Sequence, residues 1–174
     1  MNYFELFEIP VSLNVDKTFL QKKYFELQKK YHPDFFSNAD EHEQSEMLER
    51  SSMINRAFKT FQNDDETIKY VLQLKNLLEE EEKYNLPPDF LMEMMEINEA
   101  LTEGDETSLQ VAENNVAVLG KNLYDEIKPI IENYKDEQAT NDELLQIKNY
   151  YYKKKYLKRI LERLEGMRNI ASQN

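Results

Sequence analysis

The chain has 174 residues, 40% of them hydrophobic, with 3 Gly, 5 Pro, no Cys and a formal net charge of -12. That length and apolar content can fill one ordinary core or two small ones. The missing cysteines exclude disulfides, thiolate metal sites and a thiol nucleophile, and the acid surplus opposes binding to nucleic acid or to an anionic membrane. Few turn formers and an abundance of Lys, Glu, Leu, Gln and Asn make the expected fold all-α. His32 and His42, with acidic neighbours, make a poor zinc pair, so neither a metal nor another cofactor is expected. The segment MNYFELFEIP lacks a basic region and a long apolar run, which predicts a cytoplasmic protein.

The first element is a short amphipathic helix carrying Tyr3, Phe4, Leu6 and Phe7, closed off by Pro10. Asp16 reads as the N-cap of a second helix whose apolar stripe is Leu20, Tyr24, Leu27 and Tyr31. Pro33 disfavours an α conformation at His32, so that helix should stop near Tyr31. After a polar loop through Phe35, Phe36, Ser37 and Asn38, the stripe resumes at Met47, Ser51, Ile54, Phe58 and Phe61, giving an antiparallel helical pair. A short helix over Thr67 to Leu78 should pack through Ile68, Val71, Leu72 and Leu74.

The charged run Glu79 to Glu82 followed by Leu86-Pro87-Pro88 predicts a domain over 1–78, a linker over 79–88 and a second domain over 89–174. Within the second, Asp89 to about Leu101, Glu106 to about Tyr134 and Asp142 to about Ile170 read as a three-helix bundle. Pro129 should kink or break the middle helix near Lys128. Thr140-Asn141-Asp142-Glu143 fits a capping box opening the third.

The chemistry-bearing motif is His32-Pro33-Asp34, placed after a helix carrying Lys22, Lys23, Lys29 and Lys30 and before a second antiparallel helix. Taken alone, His32 is an ordinary loop histidine at a helix C-terminus, and the lysines an ordinary solvated face. Their arrangement resembles the J-domain family. That resemblance implies that the tripeptide contacts the ATPase domain of a DnaK-type chaperone, with Pro33 fixing the loop, Asp34 pairing with a partner arginine, and the lysine face docking on an acidic surface. Phe35 stands where J-domains more often carry lysine, and Asp64-Asp65-Glu66 replaces a Pro-containing basic stretch. A reading of His32 and Asp34 as an enzymic acid–base pair fails, because no nucleophile or phosphate-cradling loop lies nearby.

In the second half, Phe90, Met94, Ile97 and Leu101 share one face of a helix, while Met92, Met95, Glu96, Glu99 and Glu103 occupy the other with Leu91 at its margin. An outer face mixing apolar groups with carboxylates suits an interface, although methionines also fill gaps in packing. Asn2-Tyr3-Phe4-x-Leu-Phe, Ser51-x-x-Ile54-Asn55-x-Ala57-Phe58, the Pro-rich joint and Asp89-Phe90-Leu91-Met92-Glu93 together resemble HscB-type J-domain co-chaperones over essentially the whole chain. The resemblance implies a co-chaperone, not an enzyme, that serves the chaperone HscA and holds the iron–sulfur scaffold IscU. It assigns scaffold binding to Leu91, Met92, Met95, Glu96, Glu99 and Glu103, with an aromatic of the last helix, matched to Tyr151. A general co-chaperone for unfolded clients is the alternative. Charge is uneven here: residues 79–106 hold 11 acids and 1 base, residues 148–168 hold 8 bases and 2 acids. Attraction within the bundle accounts for this split.

Overall fold

The computed structural model describes residues 1–173, which form seven α-helices and one 3-10 turn and contain no strand, in keeping with an all-α chain. They divide into two compact units: Met1–Asn76 with Ile131–Ala139, and Leu77–Ile130 with the chain from Thr140 onward.

In the first unit, α1 (Tyr3–Phe7) opens with a capping box in which the Asn2 side chain accepts from the Glu5 N–H and the Glu5 carboxylate accepts from the Asn2 N–H. Its faces bury Phe4, Leu6 and Phe7. Helix α2 (Lys17–Tyr31) is capped by Asp16 and ends where the sequence places its stop, because His32, held extended before proline, cannot continue it. The long α3 (Glu41–Gln62) buries Ser51, Ile54, Ala57 and Phe61. Cross-links fix its register against α2. Lys17 donates to the Phe61 carbonyl at 2.9 Å, Tyr24 stacks on Phe58 at 4.0 Å, and Arg50 donates to the Tyr31 hydroxyl at 3.4 Å. Early residues of one helix thus meet late residues of the other, which makes the pair antiparallel. Phe61 sits under the rings of Phe4 and Phe7, with centroids at 4.7 and 5.6 Å.

Helix α4 (Asp64–Leu74) corrects the expected span. It begins before Thr67, because Asn63 caps it by accepting from the N–H groups of Asp65 and Glu66. Asp64-Asp65-Glu66 therefore forms a first turn, where carboxylates favour the positive end of the helix dipole. Leu74, expected in the core, is 37% exposed. The first unit is completed by residues 131–139, in which Asp136 pairs with Lys75 at 2.7 Å and accepts from the Tyr134 hydroxyl at 2.8 Å. The block expected as one piece over 89–174 is thus interrupted.

The second unit is built on α5 (Pro88–Glu103), most of α6 (Glu106–Asn133) and α7 (Asn141–Ala171). Pro88 occupies the first turn of α5, where its missing N–H costs nothing, and Gly104 ends the helix at φ 72°. Phe90, Met94, Ile97 and Leu101 are all buried, as their spacing predicts. Phe90 meets Tyr156 and Asn98 meets Arg163, so α5 and α7 run parallel. Glu113 meets Arg168 while Gly120 lies against Leu157, so α6 runs antiparallel to α7. The capping box at Thr140 and Glu143 is present. Pro129 does not break α6, which continues to Asn133. The proline is exposed and only one turn from the end of the helix.

Residues 79–88, expected as a linker, carry two side chains that contact α7. Glu82 accepts from Lys148 at 2.5 Å and from the Tyr152 hydroxyl at 3.0 Å, and Tyr84 stacks on Tyr152 at 4.3 Å. Of the four glutamates in this run, Glu82 pairs on α7 while Glu79, Glu80 and Glu81 stay exposed. Among the described residues no helix is long and apolar enough to cross a membrane.

Candidate functional sites

The first site is the corner between α2 and α3. The chain turns from α2 through extended His32 (φ -68°, ψ 128°) into a 3-10 turn over Pro33–Phe36, with the Phe35 N–H bonded to the His32 carbonyl at 3.0 Å. Proline fits the start of this turn because its φ is already set and it needs no donor there. The His32 Nδ1 accepts from the Asp34 N–H at 3.3 Å and lies 3.7 Å from the Asp34 carboxylate. This bond uses the Nδ1 lone pair, which in the neutral ring leaves the proton on Nε2. Asp34 is 88% exposed on its side chain, so its charge is free to meet a partner's cation. Phe35 packs its ring against His32 at 5.8 Å with its other face open to solvent.

The lysines of α2 do not act as one set. Lys22 and Lys29 are exposed. Lys23 turns back to form an ion pair with Glu8, and its side chain is largely covered. That bond, with the Lys23 charge, holds the Glu8 carboxyl below its usual range. Lys30 lies 5.1 Å from the Tyr31 ring centroid and, with Arg50, lowers the Tyr31 phenol. Reading four equivalent lysines from helical spacing misses this, because Glu8 arrives from outside α2. Sequence reasoning also passed over Phe19 and Phe25, which are 48% and 57% exposed. The signal was available, since both fall off the Leu20–Tyr31 stripe. The result is an outer face carrying positive charge and two large apolar rings.

The second site is the outer face of α5. Met92 and Met95 are each 64% exposed and Leu91 40%, with Glu96, Glu99 and Glu103 exposed around them. An open concavity of about 570 Å³ is lined by Met95, Asn98, Glu99, Thr102 and Glu103. Glu103 accepts from the Ser108 hydroxyl at 2.7 Å, which anchors that carboxylate at the helix end. The expected aromatic, Tyr151, is half-buried and edge-on to Tyr152 at 5.2 Å. The aromatics that share a cavity with Leu91 are instead Tyr84, Tyr152 and Tyr156. Three consecutive tyrosines differ in direction by about 100° each, and only packing selects among them. Burial and the Glu82 carboxylate push the Tyr152 phenol well above its ordinary range, and burial also raises Tyr84.

Residues 86–165 match the family described as the HSCB C-terminal oligomerisation domain. A co-chaperone HscB homologue of Shewanella halifaxensis is 36% identical over 137 residues, covering 75% of this chain and 79% of that protein. One of Psychromonas ingrahamii is 35% identical over 153 residues, covering 85% and 89%. Among solved structures, human co-chaperone HscB superposes with a TM-score of 0.77 at 30% identity, covering 95% of this chain and 81% of that one. HscB from Vibrio cholerae gives 0.69 at 26% identity, with 99% of each chain covered. An all-helical chain with an exposed His-Pro-Asp corner and an apolar, acidic α5, matched over most of its length by these relatives, belongs to the HscB family of J-domain co-chaperones.

Proposed function

We propose that this co-chaperone stimulates the ATPase of an HscA-like, DnaK-type chaperone through the His32-Pro33-Asp34 corner, and delivers to it an IscU-type scaffold held on α5. The observation that carries the reading is the corner itself: a proline-fixed turn that presents an exposed imidazole and an exposed carboxylate side by side. Lys22, Lys29 and Lys30 surround an approach for an acidic partner surface, and Phe19 and Phe25 offer area to bury against it. Lys23 contributes by holding α2 to Glu8 rather than by touching the partner. Leu91, Met92 and Met95 supply adaptable apolar contact for the scaffold, with Glu96, Glu99 and Glu103 selecting basic neighbours. Tyr151 has less to offer than Tyr152, which faces the cavity beside Leu91. The protein does no chemistry of its own in this scheme; it couples possession of a client to a partner's ATP hydrolysis.

The test is a single-turnover ATPase assay with the purified chaperone. His32→Gln removes the imidazole ring from this exposed corner while leaving α2, α3 and their core intact. Stimulation should fall to the unstimulated rate while circular dichroism and scaffold binding stay unchanged. Full stimulation by this variant overturns the proposal. Stimulation together with binding of assorted unfolded chains, but none of the folded scaffold, favours a general co-chaperone.

A further inference from the structure

The scaffold-binding reading of α5 leaves unused the cavity of about 400 Å³ beside Leu91, whose wall also carries Lys155 and Arg159 of α7. Three cations of α7 outside this wall are engaged within the protein: Lys148 with Glu82, Arg163 with Asn98 and Arg168 with Glu113. Arg159 makes no hydrogen bond, ion pair or ring contact among the described residues. The Lys155 ammonium has the Tyr152 ring centroid at 6.0 Å and no carboxylate partner among them. The one acid in the wall, Glu82, already accepts from Lys148 and Tyr152. In a chain with 34 acids and 22 bases, two like charges one helical turn apart are left uncompensated above an aromatic wall.

We propose that this cavity takes an aspartate or glutamate side chain of the docked scaffold, an inference that rests on the scaffold-binding reading of α5. A carboxylate entering here meets the Lys155 ammonium and the Arg159 guanidinium together. Tyr84, Tyr156, Leu86 and Leu91 displace water around it, which strengthens the attraction. The same carboxylate is repelled along α5 by Glu96, Glu99 and Glu103. The second unit therefore presents two electrically opposite ends joined through Leu91. A client surface fits in one orientation only, its basic and apolar residues on α5 and its acidic residue in the cavity.

The test measures affinity of the full chain for the purified scaffold by calorimetry, alongside cross-linking with a carbodiimide that joins an amine directly to a carboxylate. Both cations are at the surface, and equal thermal midpoints for the variants check that the fold is kept. Lys155→Glu with Arg159→Glu should weaken binding by about tenfold or more, as expected for a like-charge contact at an interface, whereas Arg159→Lys should hold affinity within about threefold. Lys155 should become coupled to an aspartate or glutamate of the scaffold, and the cross-link yield should drop when Met92→Ala and Met95→Ala weaken docking. Wild-type affinity in the double glutamate variant, with binding weakened in the methionine variant, overturns the cavity inference and leaves the α5 reading standing. A cross-link to the scaffold's terminal carboxylate likewise overturns it. No binding of the scaffold by the unaltered chain overturns both.

Discussion

Single side chains here do different work from their neighbours of the same type, according to what reaches them from elsewhere. Glu82 is one of four consecutive glutamates, yet it alone is tied to Lys148 and Tyr152. The bond from Lys148, helped by that from Tyr152 and opposed by burial, lowers the Glu82 carboxyl from its ordinary value of 4.5. A carboxyl lowered by folding stabilises the folded state above the unfolded pKa and loses that contribution as pH falls through the folded one. Glu82→Gln should therefore cost on the order of 1 kcal/mol at neutral pH, as a partly covered ion pair and hydrogen bond are lost. The gap between the two thermal midpoints should close as pH drops from about 4.5 downward. A gap that stays constant to lower pH removes Glu82 as its source. Lys23 shows the same dependence on context, since its partner Glu8 belongs to the segment before α2.

At the level of elements, the helices are placed by their caps as much as by their stripes. Asn63 closes α3 and opens α4, and the acidic first turn that follows gains from the same dipole. Asn63→Ala should destabilise the first unit by about 1 kcal/mol, while Asn63→Asp, which keeps an acceptor, should cost less. Chemical denaturation followed by circular dichroism reads the difference, and equal losses in the two variants would reject capping as the cause. Thr140 and Glu143 were legible as a capping box because the pattern is local. Pro129 does not end α6, because a proline one turn from a helix terminus removes a backbone donor where few turns depend on it.

For the whole molecule, the tripeptide corner and the α5 face belong to different units, each with its own core. Their functions should therefore separate under substitution. Met92→Ala with Met95→Ala should weaken scaffold binding by about 1 kcal/mol or more, if these side chains lie at the centre of the contact. The same variant should leave scaffold-independent ATPase stimulation unchanged. Loss of both activities together would show that the substitutions act through stability, and a thermal melt would reveal it. Stimulation should also weaken as salt rises, since the α2 approach is made by exposed cations.

The amino-acid sequence by itself determined the helical class, the stop at Tyr31, the buried stripes of α2, α3 and α5, and the position of the His32-Pro33-Asp34 corner. These follow from short-range rules: the 3.6-residue period, the constraint before proline and the chemistry of caps. Only the tertiary structure decided that Lys23 is consumed by Glu8, that residues 79–88 pack on α7, and that residues 131–139 join the first unit. It also decided that Tyr152, rather than Tyr151, faces the cavity beside Leu91. Each of these depends on groups far apart in the chain meeting in space. Periodicity gives the angle of a side chain about its own helix, but not which charge or ring will stand opposite it.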